Sequence, residues 1–550
     1  MNEQATDVAS KREKKKGPPK AKGPKPVEPK ALLELTWNLH ELPSSQHRAG
    51  LAGLALCVEF LKRKPDRKGV CEITRMDNAG LSFSVDRQGM QSLFDDIYDA
   101  TLEETRVKAK WANVEPKCTE EVLVTDDRTG KTKTEKRFVY DKVVPAGGLV
   151  CDWDAAGEGS PRLWLKLWRD MVWTTLRGVP AQREPFNARG EGRTIDDGGE
   201  AWDELSSDPR ATVELASTHL LGAQAKNAEN VAFEDVARLR FLLHFWSFVV
   251  AIYIPAILQR DGKRDFVGFA LAMPDVALLD DFVAVWERVA RARGCEPSGY
   301  RPRDAVIDLA AEAGLDVVRR CNEQIAVGST TTGAWVSGVD VFHLEKEGNN
   351  VRMRGIARVI PQAKQDDEYA RVRGAGYWSP VFRRQRIINV LEDRRWWAGF
   401  ARLCSTTPDE MTIRHQAFQH DCKAAFTEVE MTQDTAESNQ TLEHLVYKRI
   451  QAYVLGKTER KYELSWSKVR GNPAQEKEYE TKREKVAREA FLAIRSRTGA
   501  DFIAYFTSTI CSVPHHVTEE KYLEIARALM DPNDVERVRS LTLLALSAIA

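Results

Sequence analysis

The chain has 550 residues, of which 43% are hydrophobic and 29% charged, with 81 basic and 81 acidic side chains. That length suits about two to four domains, and the balance is that of ordinary globular proteins. A formal net charge of zero excludes bulk charge as an argument for a polyanionic partner, so any such argument must be local. Residues 1–30 predict a disordered basic arm: nine basic residues oppose four acidic ones, and five prolines fall between Pro18 and Pro29. The arm is either a solubilising tail or a segment that touches nucleic acid. It has no apolar stretch of the kind a secretory signal needs. Nine scattered cysteines without C-x-x-C spacing suit a reducing cytoplasm, the expected location.

Order is predicted from Leu32. Leu33, Leu35, Trp37 and Leu39 alternate with polar residues, which predicts a strand with one buried face. Pro43 ends it, and an apolar helix is expected over Gln46–Leu61. Cys71–Arg75 and Leu81–Val85 predict a hairpin turning at Asp77-Asn78-Ala79-Gly80. A helix is expected over Gln88–Glu104. The β-α-β-β-α order resembles an opened ferredoxin-like unit. A second hairpin spans Glu121–Tyr140, turning at Asp127–Gly130. Residues 181–212, rich in Gly, Asp, Glu and Arg, predict a loop. Phe233–Leu258 predicts helix. Its apolar part, Phe241–Leu258, reads as a buried core helix rather than a membrane span, because it holds His244, Ser247 and Pro255 and charges flank it. Phe266–Ala272 predicts a short strand, and a third hairpin pairs Val339–Glu345 with Val351–Ile360. Beyond about residue 405 strand signals fade, and four or five helices are expected. The fold class is therefore α+β. A disordered arm (1–30) precedes a mixed α/β body with several β-hairpins (31–405), and a C-terminal helical bundle follows (406–550).

Few motifs in the chain point to chemistry. Gly456-Lys457-Thr458 lacks the first glycine of a phosphate loop, since Gln451 stands there, and no strand precedes it. His420-Asp421 is the dipeptide of metal phosphohydrolases, but no further ligands align with it, and a helix-surface pair is expected. His515-His516 and the pairs Asp95-Asp96, Asp126-Asp127 and Asp280-Asp281 have no placeable partner. No catalytic residue, metal or cofactor is expected.

Two stretches suit nucleic acid. Arg371–Arg395 carries seven arginines against two acidic residues, interleaved with aromatic residues. Arginine grips phosphate with two bonds and stacks on bases, and aromatic rings offer platforms for unpaired bases. Arg371, Arg373, Arg383, Arg384 and Arg386 are the candidate phosphate ligands, with Tyr377 a candidate platform. Trp396-Trp397 reads as core. Lys457–Arg497 holds twelve basic and seven acidic residues. There Lys468 and Arg470, beside Trp466 and the Gly471-Asn472-Pro473 break, could track a backbone or simply form a solvated helix face.

One segment carries a resemblance. Glycines 50 and 53 cost about 1 kcal/mol each in helix propensity, so they imply close packing or close approach of another chain. Gln46, His47 and Arg48 fall in a first helical turn, which favours anions. Leu42, Pro43, Gln46, His47, Arg48, Ala49, Gly50, Leu51, Ala52, Gly53 and Leu54 resemble the opening of Myxan-type large subunits of type I CRISPR effector complexes, the Cas-eight family of Cascade. The Phe266-Val267-Gly268-Phe269 strand running to Pro274 is similar too, as is the plan of α/β body then helical bundle. The resemblance implies a non-catalytic subunit at the base of an antiviral complex, near the guide CRISPR RNA handle. It implies recognition of the motif beside target double-stranded DNA, contact with other Cascade subunits, and recruitment of a helicase-nuclease. On this reading Gln46, His47 and Arg48 lie at the handle or at a neighbouring subunit. Target sequence is read by RNA–DNA pairing, and the protein reads the flanking motif and backbone shape. Met411 or Met431 could start an internally translated small subunit. A metal phosphohydrolase using His420-Asp421 and a stand-alone nucleic-acid-binding scaffold are the alternatives.

Overall fold

The computed structural model describes residues 32–125, 132–154, 162–174, 183–215, 220–221, 233–259, 264–324, 332–348, 350–433, 441–513 and 519–550. The basic arm, the Asp127–Gly130 turn and His515-His516 lie outside the described residues. The fold is α+β.

The first layer follows from period-two burial. β1 (Leu33–Asn38) sends Leu33, Leu35 and Trp37 inward. Ser44 caps α1 (Ser45–Lys62), its hydroxyl accepting from the His47 amide. β2 (Cys71–Asp77) and β3 (Gly80–Val85) turn where the Asp77 carboxylate accepts from the amides of Ala79 and Gly80. The antiparallel order is β1-β3-β2. α2 (Arg87–Ile97) stops earlier than the sequence predicts, because Ala100–Val107 forms β4 instead. That strand pairs with β6 (Thr132–Pro145), which also pairs with β5 (Cys118–Thr125), so the second hairpin is present.

α1 is buried almost all round, and its glycines show why. A Cβ on Gly50 would fall inside contact distance of the Leu242 carbonyl, and one on Gly53 would meet the Phe245 carbonyl. The chain approaching these glycines is the protein's own backbone.

After α3 (Leu163–Thr174), the stretch predicted as loop contains α4 (Arg183–Gly190) and α5 (Asp197–Ser207). Their charges are matched from afar. Arg189 pairs with Asp95 at 2.8 Å and Asp197 at 2.7 Å, and Arg87 of α2 pairs with Asp196 and Asp203.

The predicted core helix over Phe241–Leu258 is largely absent. A short helix (Ala237–Leu242) and one 3-10 turn (Trp246–Phe248) lead into β7 (Ala251–Leu258). Residues 251–256 are all buried, and burial on both faces erases the alternation that marks a strand. β8 (Arg264–Phe266) and β9 (Phe269–Val276) follow, then α6 (Leu279–Arg291), α7 (Glu312–Gln324), β10 (Val336–Glu347) and β11 (Asn350–Val359). Together the strands form a sheet in the order β8-β7-β9-β10-β11, with Val306–Ile307 parallel to β7. The strand expected from Phe266 is thus split. Gly268, at φ +63°, breaks it, and a side chain there would strike the Leu344 carbonyl.

A second core fills the rest. Its helices are α8 (Ala363–Gly374), α9 (Pro380–Leu391), α10 (Phe400–Thr406), α11 (Gln416–Gln433), α12 (Leu442–Tyr462), α13 (Pro473–Arg495), α14 (Gly499–Tyr505), α15 (Glu519–Met530) and α16 (Val535–Ile549). α16 is buried on nearly every side and runs through the middle, its Arg539, Ser540, Thr542 and Ser547 buried with the apolar residues. Tyr369, Phe382 and Phe400 join Phe418, Phe491 and Leu544 in this core. The helical unit therefore starts at α8, upstream of the boundary predicted near residue 406, and it holds more helices than predicted. Among the described residues, no helix is long and apolar enough to cross a membrane.

Candidate nucleic-acid interface

The first turn of α1 faces inward. The His47 ring meets the Ser44 hydroxyl at 2.8 Å and the Asp235 carboxylate at 3.1 Å, and it is almost fully buried. The Gln46 side-chain oxygen accepts from the Leu221 amide. Arg48 donates to Asp275 and to the Leu42 carbonyl. Burial opposes the charge of Asp275, yet hydrogen bonds from Arg48, Arg358 and Ser337 hold its carboxyl below the usual carboxylate range. The side chains of Gln46, His47 and Arg48 thus hold partners within the chain, and the first turn packs as a joint.

The arginine-rich stretch divides in two. Arg373, Arg383 and Arg386 point into the protein. Arg383 pairs with Asp308 and Glu312, and Arg373 reaches Asp316 at 3.4 Å and Asp304 at 3.5 Å. Arg386 pairs with Glu368 at 2.7 Å. Asp316 is fully buried and also accepts from Tyr253 and Arg320. Burial would raise its pKa, but Arg320, Arg373 and Arg319 outweigh that and hold its carboxyl far below the usual range. Phosphate binding by Arg373, Arg383 or Arg386 would require breaking these pairs: Arg373 and Arg383 hold α8 and α9 against the segment 304–316, and Arg386 ties α9 to α8.

The remainder stays at the surface. Arg371 is exposed and pairs with Glu368. Arg384 is exposed, and no ion pair involves it among the described residues. Tyr377 is buried against Phe382, so it offers no open platform. Its neighbour Trp378 does: it is 65% exposed and stacked on His420. Trp396 and Trp397 are half-buried, the latter donating to Glu443.

His420 and Asp421 do not form a surface pair. Asp421 is fully buried, and its carboxylate accepts from the amides of Trp378 at 3.1 Å and Ser379 at 2.6 Å. It anchors the start of α9. Among the described residues, no group of three or more His, Cys, Asp or Glu side chains converges as a metal site. Thr458 of the Gly-Lys-Thr sequence is buried inside α12 and donates to the Val454 carbonyl.

Lys468 and Arg470 are exposed, with no ion pair among the described residues. Trp466, 47% exposed, leans on Tyr479, and Lys482 one turn further along α13 sits over the Tyr462 ring at 5.1 Å. Gly471 (φ +93°) turns the chain, and Asn472 caps α13. This corner joins aromatic faces to cations that hold no carboxylate.

A further pocket of about 450 Å³ lies beside β9, where Tyr300 and Arg301 meet Phe266, and sequence patterns do not reveal it. The only local signal is the Gly299-Tyr300-Arg301 turn, with Gly299 at φ +64°.

Residues 70–330 match the family model described as the type I-B CRISPR Cas8b N-terminal domain, and residues 336–549 match that of the type I-B CRISPR Cas8b C-terminal domain. The chain belongs to the type I-B Cas8b family. It is a large subunit of a type I CRISPR effector complex, and it acts with other Cascade subunits. Cas8 large subunits are generally non-catalytic components of such complexes. No curated protein matches the chain. The segment that carried the resemblance, Leu42–Leu54, lies before the matched residues. The Cas8b N-terminal domain supplies Asp304, Asp308, Glu312 and Asp316, and the C-terminal domain supplies Arg373 and Arg383. The buried ion pairs therefore join the two Cas8b domains. The central sheet joins them too, since β9 pairs with β10 across residues 331–335.

Proposed function

We propose that this Cas8b protein binds the guide CRISPR RNA handle and target double-stranded DNA. On this reading it recognises the protospacer-adjacent motif and helps recruit the helicase-nuclease in antiviral defence. The observation that carries the reading is the corner where exposed Trp466 adjoins Lys468 and Arg470, cations without acidic partners among the described residues. Arg384 and Arg371 add exposed guanidinium groups, and Trp378 adds a second exposed ring. Charge supplies affinity for the phosphate backbone, and rings supply stacking for any unpaired base. Tyr377 and Arg386 pack beside the Trp378 and Arg371 surface, Arg373 and Arg383 brace its helices against the N-terminal domain, and Gln46, His47 and Arg48 brace α1.

The test uses the assembled complex with guide RNA and a target duplex. Replacing Arg384, Lys468 and Arg470 together by Ala weakens binding. It also flattens the salt dependence, by up to about 0.9 log unit for each phosphate the protein no longer neutralises. Unchanged affinity and unchanged slope overturn the proposed interface.

A further inference from the structure

The pocket beside β9 combines features that recognise a single nucleotide. Its floor is apolar, formed by Leu167 of α3 and Ile254 of β7. Its mouth carries Tyr300 and Phe266, which are 55% and 38% exposed, high for large aromatic side chains. The Arg301 guanidinium lies 4.2 Å from the Tyr300 ring centre and 4.7 Å from that of Phe266. Its hydrogen bond goes to the Tyr300 hydroxyl rather than to a carboxylate. The Lys166 ammonium sits 5.5 Å from the Tyr300 ring centre, and Lys346 lines the rim.

None of Arg301, Lys166 and Lys346 forms an ion pair among the described residues. This contrasts with the arginines elsewhere in the body, most of which hold a carboxylate. The nearby Glu345 is occupied by Arg354. Asp170, half-buried in the pocket wall, has its carboxyl pushed up by burial, with Lys166, Lys142 and Arg301 opposing. Cations at the mouth, aromatic faces beside them and one carboxylate deeper in match the parts of a nucleotide. A phosphate meets Arg301 and the lysines, a base stacks on Tyr300 or Phe266, and a base amino group can donate to Asp170. The volume lies within the range of small-ligand pockets.

We propose that this pocket holds one unpaired nucleotide of a single-stranded segment of nucleic acid. The proposal rests on the reading of the chain as a nucleic-acid-binding subunit, and it adds a site separate from the Trp466 corner. A free mononucleotide shares the same chemistry, so the test must separate the two sources.

The experiment measures binding of the full chain to fluorescent single strands about 20 nucleotides long, RNA and DNA, and to the four nucleoside monophosphates. The variants are Tyr300→Ala, Tyr300→Phe, Arg301→Gln and, as a comparison, Lys468→Ala with Arg470→Ala. Tyr300 and Arg301 lie on a surface hairpin, and thermal melting checks that the variants stay folded. The expected result is roughly ten-fold weaker single-strand binding for Tyr300→Ala. Arg301→Gln weakens it as well, and Tyr300→Phe keeps the affinity. Single-strand binding that responds to Lys468 and Arg470 but not to Tyr300 or Arg301 overturns the pocket and leaves the proposed function standing. Monophosphate binding that depends on Tyr300, beside single-strand binding that does not, also overturns it in favour of a free-nucleotide site. A wild-type chain that binds neither ligand overturns the pocket; the proposed function is then decided by the assembled complex alone.

Discussion

The indole of Trp378 lies flat on the imidazole of His420, ring centres 3.8 Å apart and planes 3° from parallel. The stack is fixed from below, because Asp421 holds the Trp378 and Ser379 amides and also meets His420 at 3.1 Å. Asp421→Ala leaves these amides without their acceptor. An unsatisfied buried donor costs about 1–3 kcal/mol, so the melting temperature falls. Asp421→Asn keeps one acceptor oxygen and loses less.

Arg383 forms buried ion pairs between the two Cas8b domains. Arg383→Ala strands the fully buried Glu312 without its cation, while Asp308 keeps Arg264. Breaking such a pair from one side costs about 3–5 kcal/mol. Urea unfolding measures the loss. Adding Glu312→Gln to Arg383→Ala restores part of it, because the stranded charge is then gone.

Gly53→Ala runs against helix propensity. Alanine gains about 1 kcal/mol over glycine in a free helix. Here the new methyl group meets the Phe245 carbonyl, a backbone atom that cannot rotate away. Thermal melting shows a net loss of stability, and Gly50→Ala, facing Leu242, behaves likewise.

Asp366 gives the pH dependence a recognisable sign. Burial pushes its carboxyl up to about 6 from 3.8, with the Asn322 hydrogen bond opposing. Between those values the folded chain binds the proton more tightly than the unfolded one, so stability falls as pH rises through that window. Asp366→Asn removes the ionisation and still offers Asn322 an oxygen. The variant melts higher than wild type at about pH 7, and the advantage vanishes near about pH 4. Asp275 works in the opposite sense: its depressed carboxyl contributes stability above the unfolded value, which is lost as pH falls through the lower folded value.

Period and spacing made the first layer legible. Leu33, Leu35 and Trp37 alternate because one face of β1 is buried, and Asp77 marks its turn by capping amides two and three residues on. Burial on both faces of β7 removed the same cue, so Ala251–Leu258 read as helix. The charges of α4 and α5 suggested loop because their partners, Asp95 and Arg87, lie about a hundred residues away. The arginines of 371–386 were visible as a charge run. The carboxylates that Arg373 and Arg383 hold, between 304 and 316, lie in a different part of the chain, and sequence spacing could not connect them. The Trp466 corner was legible because its tryptophan and cations are neighbours in sequence. The Tyr300 pocket was not, since it gathers α3, β7, β8 and a hairpin.

The placement of α8, α9 and α10 bears on any shorter product of the same gene. A polypeptide begun at Met411 would carry α11 to α16 but would leave behind Tyr369, Phe382 and Phe400, which help enclose their core. It would start life with an open apolar flank. To exist apart from the full chain, such a product would need a companion able to close that flank, so its abundance would be governed by docking rather than by translation alone.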